Sequence, residues 1–383
     1  MKIYITGIII VLTAGSAFIS AQSLPLPNHI VIVMEENYAY SDIIGSSLAP
    51  EINALISDTS TAIFTQSFAL THPSQPNYLM LYSGSNQAVT DDNLSPNTPF
   101  STCNLGASLL ANGYSFIGYS ESMPSMGYLG VVSGNYARKH NPWSNWQGAS
   151  VFSVPQASNQ PYTSFPSNYD SLPTVSFVIP NLADDIHNPS DSSVAIPNGD
   201  TWFHTNLNNY IRWAKNNNSL LILTFDEDDL VHQNHITTIF AGEMVKGGAY
   251  SDTITHYTIL RTMEEMYHLP YCGNSATSKA INYCWKTVTQ GSATGIKEDS
   301  LTDNFIIYPN PTNTGKFTIQ MVNHQQIRNM ELRLYDLLGN SIYSTNLIAS
   351  KTDIDLSNQA KGANLVKFYD QNYQVAVKRI IIQ

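Results

Sequence analysis

The chain has 383 residues, of which 43% are hydrophobic and only 12% charged, and its formal net charge is -11. That length exceeds the usual single domain of about 100 to 200 residues, so two domains are expected. So acidic a chain lacks the clustered cations that displace counterions from a nucleic-acid backbone, which excludes nucleic acid as an expected partner.

The chain opens with Lys2, an apolar run from Ile3 to Ile19 and the small-residue exit Ser20-Ala21-Gln22, the pattern of a signal peptide over residues 1–21. Thr13, Gly15 and Ser16 interrupt the run, which falls short of the roughly 20 apolar residues of a spanning helix. Export from the cytoplasm follows as the expectation. Residues 22–285 then read as one large domain. Ile30 to Val33 is a short continuous apolar run with polar residues directly after it, as in a strand covered on both faces of a parallel sheet. Phe116 to Tyr119, Val175 to Ile179, Leu220 to Phe225 and Thr237 to Phe240 repeat that pattern. Ile52 to Ile56, Met80 to Ser83, Leu105 to Ala111, Trp202 to Ala214 and Thr258 to Tyr267 read as helix. Strands alternating with helices predict an α/β layered fold, in which ligands sit beyond the carboxyl ends of the strands. Residues 286–302 are rich in Thr, Ser, Gly and Asp without periodicity and read as a linker. Residues 303–383 carry alternating segments separated by turn residues: Lys316 to Met321, Met330 to Tyr335, Ser341 to Tyr343, Asn364 to Tyr369 and Val375 to Ile382. They predict a small β-sandwich.

Three cysteines do not make a disulfide scaffold. Cys272 and Cys284 lie close enough in sequence for a bridge closing a short loop, which would leave Cys103 as a buried thiol.

Chemistry concentrates where strands end. Met34-Glu35-Glu36-Asn37 delivers a carboxylate and an amide oxygen, hard donors suited to a cation. Ser74 directly precedes a helix, where free N–H groups favour phosphate oxygens and an alkoxide, although an ordinary capping serine would look the same. Asp226-Glu227-Asp228-Asp229 follows a buried strand, and four adjacent acids repel unless a cation or hydration relieves them. Asp185 and His187 follow another strand, Asp200 stands at an expected helix start, and His140 follows Arg138-Lys139 in a loop able to hold an anion. A layered fold would gather these segments at one edge, combining Lewis acid, nucleophile and oxyanion donors.

In order and spacing, these segments resemble the phosphoesterase family, which includes bacterial and fungal acid phosphatases and phosphatidylcholine-type phospholipases C. The matching segments are Glu36-Asn37, His72-Pro73-Ser74-Gln75-Pro76-Asn77-Tyr78, Arg138-Lys139-His140-Asn141-Pro142, Asp185-Ile186-His187, Gly199-Asp200-Thr201-Trp202, Thr224-Phe225-Asp226-Glu227 and His256-Tyr257 through Arg261-Thr262, within about residues 28–275. The resemblance implies an alkaline phosphatase-like fold, a mostly parallel central sheet flanked by helices. It implies Glu36, Asn37, Asp226 and Glu227 as metal ligands, Ser74 as a nucleophile that also touches the metal, and His140 and His187 as phosphate and leaving-group contacts. His72, Asn77, Asp185, Asp200, Asp228 and His256 are further site candidates. The family's acidic segment commonly runs into Gly-Gly, where Asp228-Asp229-Leu230 stands here, leaving open whether Asp228 replaces Glu227. One or more divalent or trivalent ions are expected, with calcium, magnesium, manganese or iron favoured over a zinc pair because the donors are mostly oxygen.

Tyr308-Pro309-Asn310-Pro311, Gly315-Lys316, Leu334-Tyr335-Asp336-Leu337-Leu338-Gly339, Lys361-Gly362 and the terminal Lys378-Arg379-Ile380-Ile381-Ile382 resemble a type IX secretion sorting domain. Outer-membrane secretion machinery is therefore an implied partner, with a secreted or cell-surface destination; a carbohydrate-binding or adhesion domain is the alternative. The expected activity is hydrolysis of small phosphomonoesters. A phospholipase C-type phosphodiesterase is the rival, and a non-enzymatic calcium-binding surface protein the alternative of another class.

Overall fold

A computed structural model describes residues 24–188, 190–286, 305–321, 330–335, 341–347, 349–357, 362–370 and 373–382. The expected signal peptide, and the expected linker beyond Lys286, lie outside the described residues. The chain divides into two compact units, Met1–Lys286 and Thr287–Gln383.

The first unit is built on an eight-stranded sheet. Its strands are β1 (His29–Glu35), β2 (Thr61–Phe64), β3 (Phe116–Ser120), β4 (Asn159–Pro161), β5 (Val175–Ile179), β6 (Ser219–Phe225), β7 (Thr238–Gly242) and β8 (Gly248–Tyr250). In space they run β8-β2-β7-β6-β1-β5-β3-β4. All pairs are parallel except those made by β7, which runs against β6 and β2. Helices α1 (Pro50–Leu55), α2 (Ser74–Ser83), α3 (Leu105–Ala111), α4 (Ser192–Ala214) and α5 (His256–Met266) cover it. Alternation along β1 explains why its run is apolar throughout: Ile30, Ile32 and Met34 enter one core with α2 and α5, while Val31 and Val33 enter the other with α4. The three strands of this sheet that sequence reading missed, β2, β4 and β8, span only three or four residues, too few to show a period.

Helix α4 begins at Ser192, well before the expected run from Trp202 to Ala214. Pro197, Asn198 and Gly199 read locally as a turn, but the helix runs through them, with Asp191 accepting from Ser193 N as its cap. Packing overrides propensity here: a side chain at Gly199 would meet Ile186 at 2.1 Å.

The cysteine expectation is corrected. Cys103 bonds Cys272, with Cα atoms 5.3 Å apart and a sequence separation of 169, and Cys284 is a free buried thiol. The segment from Cys272 to Cys284 leaves α2 and α3 for the sheet, where Lys246 N donates to Cys284 O, so the two ends serve different neighbours. Gly84 ends α2 at φ 69°, and any Cβ there would strike Cys272 O at 1.8 Å, so the disulfide-bearing loop needs glycine at that helix end.

In the second unit two antiparallel sheets form a small sandwich. One orders β9 (Phe305–Tyr308), β10 (Lys316–Met321) and β13 (Lys351–Asp355). The other runs β12 (Ser341–Leu347), β11 (Met330–Tyr335), β14 (Gly362–Asp370) and β15 (Tyr373–Ile382). Alternate residues Phe305, Ile307, Phe317 and Ile319 share a core with Leu332, Leu334, Val366 and Phe368. No helix among the described residues is long and apolar enough to cross a membrane.

Candidate active site

Because β1, β5 and β6 are adjacent and parallel, their carboxyl ends deliver Glu36, Asp185 and Asp226 to one place. The backbone fixes the junction: Glu36 N donates to Asp185 O at 2.9 Å, and Asp226 N to Glu35 O at 3.0 Å. Helix α2 supplies Ser74 as its first residue, 1% exposed.

Glu36 is the hub. Its Oε1 accepts from Tyr78 OH at 2.6 Å and lies 3.0 Å from His140 Nε2, while its Oε2 lies 3.1 Å from Ser74 Oγ and 3.5 Å from His187 Nδ1. Ser74 Oγ is also 3.2 Å from Glu227 Oε1, so a single hydroxyl proton is shared between two carboxylates. Tyr78 follows Ser74 by one helical turn, which places both on one face of α2. His140 stacks on the Tyr78 ring at 5.0 Å between centroids. Asn37, at a positive φ of 51°, donates from N to Asp226 Oδ1 at 3.1 Å and from Nδ2 to Glu227 Oε1 at 2.8 Å.

Burial works against the charge of Glu36, but His140, His187, Lys139 and Tyr78 outweigh it and hold the carboxyl down to about 2. Desolvation then lifts the others, with Glu36 adding to each: Asp185 and Asp226 stand well above the usual carboxylate range, and Glu227 above it. His140 is pushed down to about 4 by burial, whereas the hydrogen bond with Glu36 raises His187. Glu35, fully buried, has neither carboxylate oxygen partnered.

Asn37 Oδ1, Asp185 Oδ2 and Asp226 Oδ2 are buried without a hydrogen-bond partner. Orphaned acceptors on crowded acids fit a cation, whose charge would reverse the repulsion that lifts these groups. The donor set is oxygen, as a hard ion requires. Separately, Asp42, Asp229 and the exposed His232 bring ligand atoms within 4.8 Å of one another.

The remaining candidates divide. His72 stands beside the site, its Nδ1 2.7 Å from Glu227 Oε2 and its Nε2 3.2 Å from Asp228 Oδ1. Asp228 is engaged in its own turn, accepting from Leu230, His232 and Asn234 backbone N–H groups, so Glu227 and not Asp228 faces Ser74. Asn77 pins the preceding loop, accepting from Leu70 N and Thr71 N and donating to Thr71 O. Asp200 accepts from Glu51 N and Ile52 N, capping α1. His256 is fully buried, its Nε2 2.9 Å from Phe225 O, and burial pushes it down to about 4. Asp200 and His256 thus engage backbone groups and are not brought against Ser74. Tyr78 joins the site without a role expected from sequence; its spacing of one helical turn from Ser74 is the signal that could have found it.

The model of the Phosphoesterase family matches residues 50–270, and that of a secretion system C-terminal sorting domain matches residues 306–383. A phosphatidylinositol-3-phosphatase of Mycobacterium tuberculosis is 44% identical over 269 residues, covering 70% of this chain and 86% of its own. An acid phosphatase of Aspergillus fumigatus is 27% identical over 225 residues, 55% of this chain and 49% of its own, so the chain spans about half the length of that relative. Among solved structures, an alkaline phosphatase superfamily protein from Vibrio parahaemolyticus aligns over 95% of this chain and 87% of its own, at 11% identity and a TM-score of 0.48.

Proposed function

From the premise that this chain belongs to the Phosphoesterase family and is a phosphoric ester hydrolase, we propose that it hydrolyses phosphomonoesters through Ser74, with a metal ion held by Glu36, Asn37, Asp226 and Glu227. The observation that carries this reading is Ser74 Oγ standing between two carboxylates, 3.1 Å from Glu36 and 3.2 Å from Glu227, at the first turn of α2. A cation bound by these oxygens supplies Lewis acidity toward a phosphoryl oxygen and neutralises the surrounding acids.

Ser74 Oγ attacks phosphorus as its proton passes to Glu227, whose Oε1 lies 3.2 Å away. The phosphorus–oxygen bond to the leaving group breaks, and the departing alkoxide takes a proton from His187, whose side chain is 37% exposed. Water then attacks phosphorus of the phosphorylated Ser74, giving a proton to His187 while Glu227 returns its proton to the serine oxygen, so that phosphate leaves and both groups are restored. His140, whose Nε2 lies 3.0 Å from Glu36 Oε1, fixes that carboxylate and contacts a phosphate oxygen.

Relatives named as phosphatases favour the monoester over the phospholipase C reading. The 44% identical relative makes a phosphoinositide monophosphate the first physiological substrate to assay. The sorting-domain match supports export by type IX secretion to the cell surface or beyond, with the signal peptide as the entry step.

The test is hydrolysis of p-nitrophenyl phosphate across acidic to neutral pH, before and after chelation with single metals returned. Chelator-sensitive turnover restored by one metal is expected. Activity indifferent to chelation removes the metal from the mechanism, and a diester hydrolysed in preference replaces the monoester reading.

A further inference from the structure

Lys139 belongs to the segment singled out for anion binding, yet the reaction above assigns it no part. Its neighbour Arg138 is committed to the fold, donating to Leu129 O at 2.8 Å, Ser144 Oγ at 3.2 Å and Asn145 Oδ1 at 3.3 Å. Lys139 is engaged elsewhere. Its Nζ lies 2.7 Å from Asp92 Oδ2, and Asp92 Oδ1 accepts from the backbone N of Gln75, the residue after Ser74, at 3.0 Å. One carboxylate thus ties the ammonium to the helix turn that presents the nucleophile. The loop bearing Asp92 is fixed in turn, because Gln75 Nε2 donates to Asp91 O at 2.9 Å and Asn93 O at 2.8 Å.

The Lys139 side chain is 23% exposed, open enough to meet a ligand. Desolvation works against its charge, but Glu36, Asp92 and Asp226 outweigh it, so the ammonium persists and its field reaches both sides of the site. Asp92 takes one of its three donors, leaving two. Such a cation matters most for a substrate with the most charge. A phosphomonoester carries about -1.5 to -2 at pH 7, whereas a diester carries a single charge, and the wall around Ser74 is acidic.

We infer that Lys139, positioned by Asp92 beside Ser74, is the group that selects phosphomonoesters over phosphodiesters, by pairing with the second charge that only a monoester brings. This rests on the phosphomonoesterase reading above. Lys139 is a substrate contact and Asp92 a positioning residue.

The experiment compares kcat/KM for p-nitrophenyl phosphate and bis(p-nitrophenyl) phosphate in the full-length wild type and in Lys139→Gln, Lys139→Arg and Asp92→Asn, with inorganic phosphate as inhibitor. Lys139→Gln is expected to lower monoester turnover by about 10²-fold, the scale of losing one charged contact in an active site. Its diester turnover should change far less, so that the monoester-to-diester ratio falls by about tenfold or more. Inhibition by phosphate should weaken in parallel. Lys139→Arg should recover most of the ratio because it keeps the charge, and Asp92→Asn should lower the ratio less, chiefly through KM. Equal loss on both substrates, or an unchanged ratio in Lys139→Gln, overturns the inference. If Lys139→Gln shows no cooperative thermal transition, Asp92→Asn decides, and an unchanged ratio there overturns it. A wild type that prefers the diester fails the monoesterase reading itself, a result distinct from any change between variants.

Discussion

Glu36 gathers a tyrosine, two histidines and the candidate nucleophile around one carboxylate, so single substitutions at this site should separate chemistry from stability. Ser74→Ala removes one hydroxyl from a well-packed helix start and is expected to lower kcat by about 10³-fold or more while leaving the melting temperature near that of the wild type; near-normal turnover would remove Ser74 from the mechanism. Glu227→Gln should abolish activity and weaken metal retention. Asp228→Asn, by contrast, should cost stability first, because Asp228 serves Leu230, His232 and Asn234 rather than Ser74. Metal content and melting curves on the two variants check this contrast, and similar metal loss in both would reverse the assignment. The neighbouring acids Glu227 and Asp228 are indistinguishable by type and run together in sequence. Only the turn that consumes one of them separates their roles.

Helix α5 and the loop after it contain a carboxyl group outside the site with its own pH signature. Glu264 accepts from Cys272 N at 2.8 Å and Ser275 Oγ at 2.5 Å, and burial pushes it up to about 7. A raised carboxyl means the folded state binds the proton more tightly than the unfolded state. The associated stability is full below the unfolded value near 4.5 and is lost as pH rises to about 7, by an amount on the order of 3 kcal/mol. Glu264→Gln keeps the acceptor and cannot ionise, so the melting temperature of the wild type should fall relative to that of the variant between pH 5 and 8, as read by calorimetry. Parallel curves would show that Glu264 titrates normally. At this scale α4 carries the same lesson as the site: Asp200 lies in a segment resembling the family, but its carboxylate caps α1, so Asp200→Ala should cost about 1 kcal/mol of stability with kcat retained.

Across the whole molecule, the link between Cys103 and Cys272 joins the start of α3 to the loop after α5 over 169 residues. Cys272→Ser is expected to destabilise the first unit by about 2 to 5 kcal/mol, whereas Cys284→Ser, a buried thiol without a bridge, should cost less; equal effects in denaturant titrations would contradict the pairing. The sequence by itself determined the class of the fold, since continuous apolar runs such as Ile30 to Val33, alternating with helical segments, fit strands covered on both faces, and the alternation from Lys316 onward fits one-sided β-layers. It also pointed to segments that the fold brings together, because the ends of adjacent parallel strands converge: Glu36, Ser74, His140, His187, Asp226 and Glu227 share the candidate site. The tertiary structure alone decided which members of each segment face inward, that Asp200 and His256 hold backbone groups, that Cys103 finds Cys272, and that α4 begins at Ser192. These depend on distances between residues far apart in the chain. Local propensity and spacing carry no record of such distances, and packing and hydrogen-bond satisfaction settle them only once the layers have closed.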